Sequence, residues 1–165
     1  MKCRERLEAF LQENSVPYQI QHHPLAYTAQ RVADSEHLPG KLLGKVVLVV
    51  ADGKLAMLVV PAPARVDWLK VAEAVGTDEV RLAHESEFAK AFPDCEVGAM
   101  PPFGNIYGLP VFVDEEIASL ETAHFQAGTH VETISLRYAD FARLVGPKVV
   151  SLVANPPPRE ALASR

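Results

Sequence analysis

The chain has 165 residues, 48% of them apolar, which is enough to bury one full core and reads as a single globular domain. A formal net charge of −5 and a pI near 5.7 exclude a protein that coats nucleic acid by its backbone, but not one that grips a strand end with a few local cations. "MKCRERLEAF" is charged and lacks the apolar stretch of a signal peptide, and no apolar run reaches the roughly 18 residues of a membrane span. Cys3 and Cys95 lie far apart without metal-type spacing, which suits a reducing, cytoplasmic setting.

In chain order, residues 2–13 place Leu7, Phe10 and Leu11 at helical spacing and predict an amphipathic helix that Asn14, Ser15 and Pro17 end. "YQIQHHP" alternates as a short strand up to Pro24. Thr28 is a good N-cap for a helix whose Ala29, Val32 and Ala33 share a face and which Pro39-Gly40 closes. "KVVLVV" and "LAMLVV" flank Asp52-Gly53, a strong hairpin signature. Both runs are apolar on both faces, so the hairpin is expected to be central and buried. "RVDWLKVAEAVG" predicts a helix with Gly76 as its C-cap, "VRLA" a brief strand, and "ESEFAKAF" a short helix capped by Ser86. Farther on, "GLPVFVDEEI" and "HVETISL" are strand candidates, and "RYADFARLVG" a helix closed by Gly146. Residues 1–154 form the expected domain, and the proline-rich stretch 155–165 is expected to be a loose tail. The class is α+β, a mixed sheet against a few helices.

Between the short helix and the next strand lies "CEVGAMPPFGN", residues 95–105. Gly98, Pro101, Pro102 and Gly104 exclude a helix or an interior strand, and the prolines make the loop stiff. Such a loop can present carbonyl and amide groups to a ligand without an ordering cost, or it can simply cross between sheet edges.

Lys45 follows Gly44 at the head of the first hairpin strand. It is either a solvated strand end or a point charge aimed at a phosphate or carboxylate. His130 follows "QAGT", where Gly128 allows a backbone or ligand to come close. It is either structural or functional. His22 and His23, before Pro24, are expected to bond backbone and hold the turn. There is no Gly-x-Ser-x-Gly elbow, no His-Glu-x-x-His or Cys-x-x-Cys cluster, and no phosphate-binding glycine loop opening a helix. Neither a metal nor a cofactor is therefore expected, and Cys95 is a nucleophile only in principle, with no partner base marked.

The order "HHPLAYTAQRVA", "GKLLGKVVLVV", "VGAMPPFGNIYGLPVFVDE" and "FQAGTHVETISLRYADF" resembles the YbaK/ProRS-associated family of aminoacyl-tRNA deacylases, relatives of the editing insertion of bacterial prolyl-tRNA synthetase. The resemblance runs from about Ser15 to Gly146. Its most specific parts are the lysine heading the central strand and the Gly-x-x-x-Pro loop, Gly98 to Pro101.

The resemblance implies a partly barrel-like mixed sheet flanked by helices, and cleavage of the ester between a wrong amino acid and the 3′ end of a tRNA. It places Lys45 on the lysine that holds the terminal nucleotide. The backbone of Gly98 to Pro101 falls on the loop around the aminoacyl group, and His130 on a histidine that several branches carry. Met100, Pro102, Phe103, Gly104, Gly128 and Thr129 are expected to line or abut that pocket. Val46, where members with known editing roles often have a small polar residue or asparagine, and the second proline, Pro102, are departures that point to a different substrate and a tighter pocket floor.

An aminoacyl ester is already activated, so placing a water and stabilising developing charge suffices. The implied partners are a mischarged tRNA, through its CCA end, and a synthetase. The rival readings are a non-catalytic tRNA- or synthetase-binding module on the same fold and a hydrolase of another small acyl ester.

Overall fold

The computed structural model describes residues 2–155. Along the chain run α1 (Cys3–Glu13), β1 (Gln19–His22), α2 (Ala29–Ser35), β2 (Leu43–Ala51), β3 (Lys54–Pro61), α3 (Trp68–Val75), β4 (Val80–Leu82) and α4 (Glu85–Phe88). Then follow β5 (Val111–Asp114), α5 (Glu115–Ala118), β6 (Thr122–Gln126), β7 (Glu132–Arg137), α6 (Tyr138–Val145) and β8 (Lys148–Val150). The eight strands form one mixed sheet in the order β1-β7-β6-β2-β3-β5-β8, with β4 also paired to β2.

The hairpin lies in the middle of this sheet, as its sequence requires. Lys45 faces Val60 and Val50 faces Leu55 in an antiparallel register, and Ala56 to Val60 are all buried. Asp52 and Gly53 both have positive φ, 53° and 80°, the combination that a tight two-residue hairpin turn needs. Helix ends also follow their local chemistry. The Thr28 hydroxyl accepts from Arg31 N–H at 3.2 Å, and Gly76 and Gly146 close α3 and α6 in the left-handed conformation.

Three details differ from the sequence reading, and one expectation falls outside the described residues. The cap of α4 is His84, whose own N–H donates to the Glu87 carboxylate at 2.8 Å, and not Ser86. The run after Pro110 is a strand only to Asp114. That side chain then accepts from Glu116 N–H at 3.0 Å and starts a helical turn. Strands β6 and β8 form although their sequences carry no clear alternating signal. The expected tail, 155–165, lies outside the described residues except for Asn155.

Antiparallel partners share a face, so the register sorts the sheet. Ile20, Ile134 and Phe125 fall on one side, in the main core with Leu7, Leu11, Phe103 and Phe141. Gln21, Thr133 and Gln126 fall on the other side, as do Gln19, Ser135 and His124. There α2 lies across the sheet, packing Val32 and Ala33 with Leu43 and Ala62. No helix among the described residues is long and apolar enough to cross a membrane.

Candidate functional site

Strand β2 has two partners along its non-β3 edge. It pairs in parallel with β6 through Leu43–His124 and Gly44–Phe125, then with β4 from Val49 onward. Between these pairings the edge of β2 has no strand neighbour among the described residues, and this interval begins at Lys45. Gly44 makes the approach possible, since a Cβ there would lie 2.7 Å from the Phe125 ring. Lys45 lies two residues beyond Leu43, so it shares the face covered by α2 and occupied by His124.

The Lys45 ammonium donates to Ala64 O at 2.8 Å, leaving two further N–H donors. Partial burial lowers its pKa from the usual lysine value. On the same face Thr133, fully buried, hydrogen-bonds the Glu36 carboxylate at 2.8 Å. Burial also lowers the pKa of His124, with Glu36 acting in the opposite direction.

The stiff loop hangs from the turn between β6 and β7. Glu96 N–H donates to Gly128 O and Gly128 N–H to Ala99 O, both at 2.9 Å. His130 N–H donates to the Glu96 carboxylate at 3.0 Å, and His130 Nε2 lies 2.7 Å from Val97 O. A carbonyl only accepts, so Nε2 carries the proton and a neutral His130 has Nδ1 as a bare acceptor. That Nδ1 is buried and has no hydrogen-bond partner among the described residues. Gly98, at φ 86°, stands beside this ring, and a Cβ there would sit 3.5 Å from His130 Cε1. His23 has the same arrangement, with Nδ1 donating to Pro24 O at 2.8 Å and Nε2 buried and unpartnered among the described residues. This agrees with its expected role of bonding backbone at the turn.

The other side of the loop is pinned to α1. Cys3 and Cys95 form a disulfide, which overturns the reading of two separate thiols and of Cys95 as a nucleophile. Spacing along the chain hid this, because Cys3 meets the loop only once α1 is docked. Cys3 N–H donates to Asp94 O at 3.1 Å and Arg6 pairs with Asp94 at 2.7 Å. The Arg6 guanidinium also lies 5.4 Å from the centre of the Tyr107 ring, whose hydroxyl reaches both sulfurs at 3.4–3.5 Å.

The structure thus joins Gly98, Gly128 and His130 in one knot, with Lys45 on the neighbouring strand where β2 leaves β6. It also redistributes several expected pocket residues. Phe103 is fully buried, edge-on to Phe141 at 5.3 Å and to Phe10 at 6.3 Å, so its ring anchors the loop in the core. Gly104 serves packing, because a Cβ there would lie 2.7 Å from Val111. Met100, Pro101 and Pro102 are buried as well. The close approach at Gly128 is to Cys3, whose Sγ would lie 2.8 Å from an added Cβ. Thr129 donates to Glu132 at 3.1 Å, and with Gly128 it borders a cleft of about 420 Å³ beside Arg4, Glu96 and Glu132. Arg4 and Glu132 form an ion pair there. The sequence reading missed the polar face of Thr133, Glu36 and His124, and it missed Tyr27, whose ring centre lies 4.9 Å from that of His130.

The arrangement is that of an α+β domain presenting a stiff glycine–proline loop and a bare histidine nitrogen beside a mixed sheet. More particularly, the chain belongs to the aminoacyl-tRNA editing domain family, whose model matches residues 23–144. It is 30% identical over 98 residues to the proline–tRNA ligase of Acidithiobacillus ferrooxidans. That match spans 58% of this chain but only 17% of the ligase. A crystal structure of a candidate trans-editing enzyme for prolyl-tRNA synthetase superposes with a TM-score of 0.82 at 20% identity, covering 94% of this chain and 99% of that one. A scaffold protein used for grafting linear epitopes superposes with a TM-score of 0.81 at 21% identity and the same coverage. These two likenesses show the fold.

Proposed function

We propose that the protein is a trans-editing hydrolase that deacylates mischarged aminoacyl-tRNA. Water adds to the ester carbonyl, the ribose oxygen leaves with a proton, and the products are free amino acid and tRNA. Lys45 holds a phosphate of the 3′ terminus with the N–H donors that Ala64 does not use. Its partial desolvation strengthens that contact. The backbone of Gly98 to Pro101 surrounds the aminoacyl group, and His130, tied through Nε2 to Val97 O, holds that backbone beside the reacting ester. Lys45, the loop and His130 meet on one concave surface in this reading.

The observation that carries it is the His130 ring, tied through Nε2 to Val97 O and standing against Gly98 of the stiff loop. His23 has a like bare nitrogen at its turn, so what sets His130 apart is its place against Gly98, whose added Cβ would lie 3.5 Å from His130 Cε1. Family membership supports the substrate class.

The test is single-turnover deacylation of a panel of mischarged tRNAs, with a thermal melt for each variant. Lys45→Ala is expected to lower kcat/KM about 10- to 150-fold, the equivalent of one charge-assisted hydrogen bond, with little change in stability. His130→Ala should do less. A wild type that binds tRNA through Lys45 but hydrolyses none of the panel makes the protein a binding module instead.

A further inference from the structure

Four apolar side chains stand exposed around His130: Tyr27 at 68%, Leu25 at 60%, Val97 at 43% and Val131 at 37%. They come from three separate segments that hydrogen bonds lock together. Ala26 N–H donates to His130 O at 3.2 Å, His23 N–H to Val131 O at 2.8 Å, and His130 Nε2 to Val97 O. The patch is therefore rigid before anything binds it, and its centre is an aromatic ring tilted 56° against the His130 imidazole.

We propose that Tyr27 is a stacking platform for the terminal base of the tRNA 3′ end, flanked by Leu25, Val97 and Val131. The proposal deepens the deacylase reading and rests on it for the identity of the RNA. Four side chains fall far short of the roughly 20–30 residues a side that a protein interface uses, but they match the footprint of one or two unpaired bases. A single-stranded end offers unpaired π faces, and stacking on an aromatic ring accepts any base. The platform borders His130 and Gly98, so a base held there leaves its ribose, and the ester on that ribose, next to the loop. A preformed platform also adds no ordering cost on binding. This gives an acidic chain a way to hold a nucleotide that needs few cations.

The probe is an uncharged RNA hairpin ending in CCA whose last adenine is replaced by 2-aminopurine, a base whose fluorescence falls when it stacks. Wild-type protein is expected to quench it. Tyr27→Ala should bind about 5- to 150-fold more weakly, from the worth of one base–aromatic stack, and without quenching. Tyr27→Phe should restore both. An abasic 3′ residue should weaken binding to the wild type but cost Tyr27→Ala nothing, a non-additivity that a merely structural tyrosine does not produce. In deacylation the loss should lie in KM with kcat nearly unchanged. Equal affinity and quenching in Tyr27→Ala, or no quenching by the wild type, overturns the platform. Hydrolysis by Tyr27→Ala at the wild-type kcat/KM overturns it and leaves the deacylase reading standing. Quenching by a wild type that hydrolyses nothing does the reverse. A stable complex with a synthetase that Tyr27→Ala abolishes, without RNA quenching, assigns the patch to a protein and also overturns the platform.

Discussion

The β2–β3 hairpin runs through the middle of the sheet and the segment 94–104 lies partly at the surface, and they are held in place by different means. The hairpin is held by repetition. Eight facing residue pairs and a row of buried valine, leucine and methionine side chains each contribute a little, and the turn between them matches its twist. Among the described residues the segment 94–104 joins no strand ladder and forms no helix of its own for most of its length. It is held by unlike single attachments: a disulfide to α1, an ion pair to Arg6, backbone bonds to Gly128, a histidine ring on Val97 and the buried Phe103 ring. Regular pairing gives stability that is spread over many residues. Unlike attachments fix irregular backbone in one shape, which is what the role proposed for this loop would need.

The hairpin should tolerate many small losses and fail at one kind of change, a charge placed where nothing can pair it. Val59 is fully buried on β3, facing Val46. Val59→Asp is expected to cost more than about 4 kcal/mol and to leave the chain unfolded or aggregated at 25 °C by circular dichroism. A folded Val59→Asp protein would mean that this part of the sheet opens to water, and the contrast drawn above would fail.

The next largest effect tests the attachments. Reduction of the disulfide, or Cys3→Ser, is expected to cost about 2–4 kcal/mol in a denaturant titration. Amide exchange locates that loss. If the bond acts by holding the loop, the Glu96, Gly128 and His130 amides should exchange faster while the hairpin amides change much less. If hairpin and loop amides speed up together, the disulfide acts through the unfolded chain, and the loop stands without it.

Much of the hairpin was legible in the sequence, and little of the knot was. β-Branched runs on either side of Asp52-Gly53 are a local signal, as are the caps Thr28, Gly76 and Gly146, because each residue's own backbone preference decides the outcome. The strand β6 was not legible. Its polar His124 and Gln126 look like loop residues until α2 covers that face of the sheet, where polar groups such as Thr133 and Glu36 satisfy one another. The disulfide joins residues 92 positions apart and has no spacing signature. His130 and Val97 are 33 positions apart and meet through a backbone carbonyl, which side-chain identity does not reveal. The motif positions Lys45, Gly98 and His130 were visible by resemblance. What the glycines were for was not: Gly104 and Gly128 admit protein atoms, at Val111 and at Cys3.

The smallest effects come from one substitution made in both regions. Gly53 and Gly128 both have positive φ, 80° and 103°, so alanine is disfavoured at each on backbone grounds alone. Around Gly53 nothing lies within 4 Å of an added Cβ, whereas at Gly128 the added atom meets Cys3 Sγ at 2.8 Å and Cys3 Cβ at 2.9 Å. Gly128→Ala should therefore cost backbone strain of about 1–3 kcal/mol and also push Cys3 and the start of α1 away from the loop. Gly53→Ala should cost only the conformational penalty, about 1 kcal/mol, because alanine can occupy the left-handed region and the turn is open to solvent. The eight-pair register should survive, so hairpin amide protection should keep its pattern while the melting temperature falls by roughly 2–4 °C. Thermal melts of the two variants, with and without reductant, decide the matter. Reductant should narrow the gap between them, since a reduced Cys3 is free to move aside from the added methyl group. If Gly53→Ala proves as costly as Gly128→Ala under both conditions, the strain lies in the backbone alone and the knot around Cys3 contributes nothing to the difference.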